Sequence, residues 1–332
     1  MDPYRALAKP LFFALPPEAA HRLAHRLLGM PFPWERIGRP DTDPSLRTTL
    51  AGIPLANPLG LAAGFDKTGE RVRPLGRLGF GYVVAGTFTK APRSGNPKPR
   101  IVRDVGRLSI VNAMGLPNPG AAAAAAALAR TPSAGPRFAS IADEAVPDAV
   151  GAHRLLEPHV DAIELNASCP NVSWGRDRDN EHHLRELLEE LARVRAKPLF
   201  VKLPPFRTPI ERDVVLALAR ISLAARVDGL TCSNTLRVRE PRLSTGEGGL
   251  SGRALASDTP RIVHEVVEAT EGALPVNACG GVVSPADAQA CLDAGATTVQ
   301  VYTGLIYRGP GIVGELTAGL ARRASVGRVV AR

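Results

Sequence analysis

Asn166-Ala167-Ser168-Cys169-Pro170-Asn171 is the stretch around which the chain is read. The largely apolar run Val160-Asp161-Ala162-Ile163-Glu164-Leu165 leads into it with the length and composition of a buried strand. Pro170 ends that strand, because proline has no N–H for a sheet ladder. The polar residues therefore fall at the strand's C-terminal end. Asn166 and Asn171 offer donors and acceptors to a planar polar ligand. Cys169 lies between them, and its thiol is able to move a proton near neutral pH. A small turn with a buried cysteine is the plain alternative, and the rest of the chain decides between the two.

Outward from this stretch, short apolar runs alternate with helical patterns. The expected strands are Leu59–Ala63, Gly81–Gly86, Arg137–Ile141, Asp161–Asn166, Leu199–Leu203, Gly229–Ser233, Val276–Ala278 and Thr298–Tyr302. Between them, Glu181–Arg195, Pro209–Ala225 and Pro285–Ala294 repeat apolar residues at helical spacing, and Ala121–Ala127 is a helix-forming filler. Eight alternations predict an α/β chain folded as a closed parallel (β/α)8 TIM barrel. Such barrels carry their chemistry on the loops after the strands' C-terminal ends.

Those ends hold Gly64-Phe65-Asp66-Lys67, Thr87, the Asn166–Asn171 motif, Lys202, Ser233-Asn234-Thr235, Gly280-Gly281 and Tyr302-Thr303-Gly304. A further polar loop, Asn112–Asn118, precedes the third strand. Glycine-rich loops after strands seven and eight, with Gly248–Gly252 nearby, offer backbone N–H groups to a phosphate. Asn112, Asn166, Asn171 and Asn234 converge with Lys67 on one mouth, a set suited to a small ring bearing amides and a carboxylate. Lys202, inside an apolar strand, requires a negative or electron-rich partner, which a reduced flavin would supply.

The chain has 332 residues, 45% hydrophobic, with a net charge of +9 and a pI near 9.9, a balance that favours anionic partners. An aromatic content of 5% argues against single-strand nucleic-acid binding by stacking. No apolar run approaches the ~18 residues of a membrane helix. Arg5, Lys9 and Pro16-Pro17 interrupt the opening where a signal peptide would be apolar. Cys169, Cys232, Cys279 and Cys291 show neither metal spacing nor a disulfide framework, so no metal is expected. Residues 1–45 stand apart from the barrel pattern. Tyr4–Leu15 and Pro17–Leu28 read as two helices, the second with Ala20, Leu23, Ala24, Leu27 and Leu28 on one face and His21, Arg22, His25 and Arg26 on the other. Periodicity alone favours a helical cap, although a basic amphipathic helix can also lie on an anionic membrane surface.

With these residues in view, the whole chain resembles the dihydroorotate dehydrogenases, FMN flavoproteins of pyrimidine biosynthesis. The motifs are Asn57–Lys67, Asn112–Pro119, Asn166–Asn171, Val201–Pro205, Gly248–Leu255 and Gln300–Pro310. Tyr4–Gly29, Lys98-Pro99-Arg100 and Gly249–Leu255 are similar to the membrane-associated, quinone-using class. The resemblance implies oxidation of (S)-dihydroorotate to orotate, with Cys169 as catalytic base. It implies substrate contacts from Lys67, Asn112, Ala113, Met114, Gly115, Leu116, Asn166, Asn171, Asn234 and Thr235. It places Ala63, Gly64, Phe65, Asp66, Lys67, Thr87, Asn166, Lys202, Ser233, Gly252, Gly281, Tyr302 and Thr303 around FMN. It further implies a quinone acceptor reached through the N-terminal helices, on the cytoplasmic face of the cell membrane, with the catalytic barrel over 46–332.

Three features depart from the quinone class. Cysteine at position 169 is typical of the soluble class, where the quinone class has serine. Asn112–Asn118 and Pro204-Pro205 also lean to the soluble class, and Phe138-Ala139-Ser140-Ile141 lacks an asparagine found near FMN. A fumarate-linked oxidase, an FMN barrel acting on another dihydropyrimidine and one reducing uridine in RNA are the rival readings. The four asparagines and the N-terminal helices weigh against RNA, and no nucleic-acid partner is expected.

Overall fold

In the computed structural model, which describes residues 4–167 and 180–330, the eight apolar runs pair in parallel and close on themselves. They are β1 (Leu59–Leu61), β2 (Tyr82–Phe88), β3 (Arg137–Ile141), β4 (Ala162–Asn166), β5 (Leu199–Leu203), β6 (Gly229–Cys232), β7 (Val276–Cys279) and β8 (Thr298–Val301). Each pairs with its neighbour in chain order, and β8 meets β1 with Val299 opposite Leu59 and Val301 opposite Leu61. All seven residues of β2 and all five of β5 are buried. Strands covered on both faces need helices outside and no free edge, and a closed barrel supplies both.

The intervening helices follow the apolar spacing. Asn180–Ala192 buries Leu184, Leu187, Leu188 and Leu191. Pro209–Ala224 starts from a capping box, in which Thr208 accepts from the Glu211 N–H and the Glu211 carboxylate accepts from the Thr208 N–H. The alanine run forms Ala121–Arg130, whose small side chains let it pack closely.

The barrel floor is aromatic. Phe138 stacks between Tyr82, 4.8 Å away, and Phe200, 5.5 Å away. Gly60 and Gly229 leave the space these rings fill, since a Cβ at either would collide with Tyr82 or Phe200. A short antiparallel hairpin, Thr48–Leu50 with Ile53–Leu55, closes the floor from outside with Leu50 and Leu55.

Sequence periodicity did not reveal a second, antiparallel sheet. Its strands run in the order Leu236–Arg239, Glu247–Gly252, Ser109–Asn112, Ile101–Asp104. Gly248–Gly252, expected as a loop, is thus a strand, and Asn112, expected in a loop, ends one. Glycine suits this strand because a Cβ at Gly248 would press on the Asn112 backbone at 2.8–3.0 Å.

The N-terminal helices pack on this sheet's edge. Tyr4–Ala8 winds as a π-helical turn into α1 (Lys9–Ala14), and α2 spans Pro17–Leu28. The expected single helix over Tyr4–Leu15 is therefore two windings in series. Arg103 donates to the Phe12 and Leu15 carbonyls at 3.2 and 2.6 Å, satisfying the end of α1. The expected faces of α2 also need correcting. His21 and His25 turn inward and Leu27 is 38% exposed, because the inner surface offers the Phe65 ring to His21 and the Phe65 carbonyl to His25. Replacing Phe138 with alanine should destabilise the barrel by about 3–5 kcal/mol, the cost of emptying an aromatic site in a packed core. Denaturant unfolding checks this, with little change expected in the arm's docking.

Candidate functional site

One cavity of about 1840 Å³ runs from the C-terminal ends of the strands to the N-terminal helices. Single-ligand pockets are usually about 300–1,000 Å³, so this space accommodates more than one ligand. Of the residues expected at a site, Ala63, Gly64, Phe65, Lys67, Thr87, Asn112, Met114, Leu116, Asn166, Lys202, Ser233, Asn234, Thr235, Gly252, Gly281, Tyr302 and Thr303 line it. Cys169 and Asn171 lie outside the described residues. Asp66, Ala113 and Gly115 stand behind the wall. The Asp66 carboxylate turns back into its own loop, Ala113 packs with Val111 and Leu243, and Gly115 lies against Asn96.

The amides form one network. Asn234 Nδ2 donates to Asn166 Oδ1 at 3.2 Å, and Asn166 Nδ2 donates to Thr87 Oγ1 at 3.3 Å. Thr87 Oγ1 also meets Ser140 Oγ at 2.9 Å. Ser140 occupies β3 where an asparagine was missed in the sequence, and its hydroxyl buttresses Thr87. Across the mouth, Asn112 Nδ2 donates to the Gly249 carbonyl at 3.4 Å.

Lys67 is set by its loop. Asp66 is fully buried and accepts from Thr68 N, Thr68 Oγ1, Gly69 N and Arg71 N at 2.7–3.1 Å. This knot presents Lys67, whose Nζ donates to the Gly64 carbonyl at 2.5 Å. Burial, with Arg100 adding repulsion, pushes the Lys67 pKa down to about 8. The group is a cation near neutrality that gains most from an anionic ligand.

Lys202, 5% exposed, meets Glu164 Oε1 at 3.7 Å and interacts with the Cys279 thiol. Burial opposes the Lys202 charge, but Cys279 and Glu164 outweigh it and raise its pKa above the ordinary value. Burial pushes the Cys279 thiol up, so near neutrality it is protonated, and the Glu164 carboxylate faces the ammonium. Glu164 and Gln300 were not singled out in the sequence. A signal was present: each lies two residues before a site residue, Asn166 and Tyr302, and strand alternation puts such pairs on one face.

The cavity suits a flavin. Gln300 Oε1 is buried without a hydrogen-bond partner on the cavity wall, and Lys202, Asn166, Ser233 and Thr87 add buried polar groups. Gly252 and Gly281, at φ +90° and +74°, form a cradle that Cβ atoms would close against Leu108, Thr303 and Ala256. Exposed backbone N–H groups in such turns accept a phosphate.

At its other end, the cavity is walled by Phe12, His21, Ala24, Leu27 and Leu28. His21 sits edge-on to Phe65 at 5.5 Å, and burial, helped by Lys67, pushes its pKa down to about 3, so it is neutral. Arg100 donates to Glu18 Oε1 from Nε and Nη2 at 3.1 and 2.8 Å, tying α2 to the sheet. Arg71 Nε donates to the His25 carbonyl at 2.8 Å, tying it to the β1 loop.

A family model described as dihydroorotate dehydrogenase matches residues 45–323. The chain belongs to the dihydroorotate dehydrogenase family. It is 38% identical to a "Dihydroorotate dehydrogenase (quinone)" of Acidithiobacillus ferrooxidans over 93% of this chain and 92% of that protein. A relative of the same name from Thermus thermophilus is 39% identical over 93% and 94%. A dihydroorotate dehydrogenase from Eimeria tenella, solved in complex with ferulenol, superposes with a TM-score of 0.82 at 28% identity, covering 94% of this chain and 92% of that one.

As in dihydroorotate dehydrogenases generally, the cofactor class is flavin. Both bacterial relatives named here carry the quinone designation. In this dihydroorotate dehydrogenase chain, Lys67 should titrate near pH 8 before ligand binds. NMR of isotopically labelled lysine, compared between parent and Lys67→Met, checks this. An orotate-bound sample should show the titration moved to higher pH, because the ligand's carboxylate favours the ammonium.

Proposed function

We propose that this chain oxidises (S)-dihydroorotate to orotate with FMN as its flavin and passes the electrons to a membrane quinone. The observation that carries this reading is the single cavity, which has amides and Lys67 at one end and an apolar, helix-walled passage at the other. Lys67 binds the substrate carboxylate, while Asn112, Asn166, Asn171 and Asn234 fix the ring's amide edges, so that the C5 and C6 bonds to hydrogen are aligned for cleavage. Cys169, as thiolate, takes the C5 proton. FMN, when bound, would supply the acceptor for the C6 hydride and a two-electron relay to quinone. Lys202 stabilises negative charge that develops near it. Gly252, Gly281 and Thr303 would hold the FMN phosphate, and Ser233, Thr87 and Tyr302 would hold its ring system.

The arm, residues 1–45, admits the quinone, and the barrel over 46–332 does the chemistry. Leu7, Leu11, Leu27, Met30 and Phe32 are exposed by 38–77%, and Arg22 and Arg26 stand beside them in water. An apolar rim flanked by cations fits an anionic membrane surface, here the cytoplasmic face of the cell membrane. No helix among the described residues is long and apolar enough to cross a membrane.

Anaerobic mixing of the yellow protein with dihydroorotate should bleach the flavin, and a long-chain quinone should restore it. Cys169→Ala should slow bleaching by about 100-fold or more, the usual weight of a general base. Ala24→Trp, which fills the arm end of the cavity, should slow quinone reoxidation while leaving bleaching near the parent rate. Unbleached flavin would refute the substrate. Rapid reoxidation by fumarate, but not by quinone, would refute the acceptor.

A further inference from the structure

Lys202 and its partner Glu164 stand at the head of a hydrogen-bonded ladder through the barrel core. Thr231 Oγ1 donates to Glu164 Oε2 at 2.9 Å, and Gln300 Nε2 donates to the same oxygen at 3.5 Å. Asn277 Nδ2 donates to Thr231 Oγ1 at 3.3 Å, and Thr298 Oγ1 donates to Asn277 Oδ1 at 2.7 Å. Tyr82 OH and Thr298 Oγ1 are 2.8 Å apart. Thr298 has one proton, already given to Asn277, so Tyr82 must be the donor. Every bond in the ladder therefore runs the same way, from Tyr82 to Glu164. All six residues are at most 1% exposed.

A ladder that only donates needs an acceptor at its end, and an ionised carboxylate is acceptor-only. The ladder's donors converge on Oε2 of the Glu164 carboxylate. Its other oxygen, Oε1, is buried with no hydrogen-bond partner. The Lys202 ammonium lies 3.7 Å from it. A buried charge is costly unless paired, and the two charges answer one another. At its lower end the ladder stops at Tyr82, which is stacked on Phe138. It holds the carboxylate in place and does not open to solvent.

We propose that Glu164 is a positioning residue for the flavin reaction, the fixed counter-ion that keeps Lys202 a cation in both redox states of the cofactor. This rests on the FMN reading above and adds a role for a residue that touches neither substrate nor cofactor in that reading. Among the described residues, the titratable groups facing Lys202 are Glu164 on β4 and Cys279 on β7, and Tyr82 on β2 faces Glu164 from the far end. Without Glu164, Lys202 would keep Cys279 as its partner, and burial holds that thiol protonated near neutrality, so it brings no negative charge there. Lys202 would then be neutral while the flavin is oxidised and would bind a proton only when reduction brings negative charge nearby.

The test is the pH dependence of the bound flavin's reduction potential between pH 7 and 9, measured on FMN-loaded protein by dye equilibration. In the parent, Lys202 exchanges no proton. A reduced flavin that keeps one negative charge takes up a single proton, so the reduction equilibrium should fall tenfold per pH unit, about 30 mV for a two-electron couple. In Glu164→Gln the same reduction should take up two protons, a 100-fold fall per pH unit. Adding Lys202→Met to that variant should restore the tenfold slope.

A parent that already shows the 100-fold slope overturns the inference without recourse to any variant. So does a Glu164→Gln slope equal to the parent's, or a steep slope that survives loss of Lys202. A protein that takes up no FMN overturns the cofactor reading instead. FMN-loaded protein bleached by dihydroorotate, with an unchanged Glu164→Gln slope, removes Glu164's role alone.

Discussion

The arrangement depends on the carboxylate of Asp66. It is fully buried, and a buried carboxylate is tolerable only when donors surround it. Four donors from Thr68, Gly69 and Arg71 do so. To supply them, the chain after β1 must curl into one shape. That shape points Lys67 into the cavity and offers the Phe65 carbonyl to His25 Nε2 at 3.3 Å. It also aims Arg71 at the last turn of α2. One knot therefore sets the Lys67 ammonium in the cavity and seats the helix that walls the passage.

The barrel interior is layered by chemistry. At the floor, Tyr82, Phe138 and Phe200 exclude water. Above them, the side chains of Thr298, Asn277, Thr231 and Glu164 bond to one another and to Gln300, Tyr82 and Lys202. At the mouth, Asn166, Asn234 and Thr87 form a hydrogen-bonded rim facing the cavity. Low dielectric below strengthens electrostatic effects above. A cation fixed at the border of dry and wet layers acts on a ligand far more strongly than one in water.

The eight strands were legible because parallel barrel strands are continuous apolar runs between turn signals. Boundaries moved by a residue or two where the ladder ends, as at Asp161, whose carboxylate accepts from Arg137 N. The antiparallel sheet escaped because Glu247–Gly252 has three glycines and little alternation, and only pairing with Ser109–Asn112 makes it a strand. Lys67, Asn166 and Asn234 could be grouped from strand ends, and Asn112 from a polar loop before the third strand. Glu164 could not be assigned, since its meaning lies in partners from β5, β6 and β8. The inward turn of His21 and His25 was hidden for the same reason: helical periodicity ranks faces by polarity, and here the partners are the ring and carbonyl of Phe65, from the β1 loop.

The claim that one knot serves both ends of the cavity is tested most directly by the two half-reactions of Asp66→Asn. An asparagine keeps the shape but places an N–H₂ where Arg71 N must donate, so the loop should loosen. Stopped-flow measurement should show flavin reduction by dihydroorotate and reoxidation by a long-chain quinone both slowed, each by about tenfold or more, in keeping with about 1.5–3 kcal/mol for a lost charged hydrogen bond, with flavin still bound. Slowing of one half-reaction with the other at the parent rate would contradict the account.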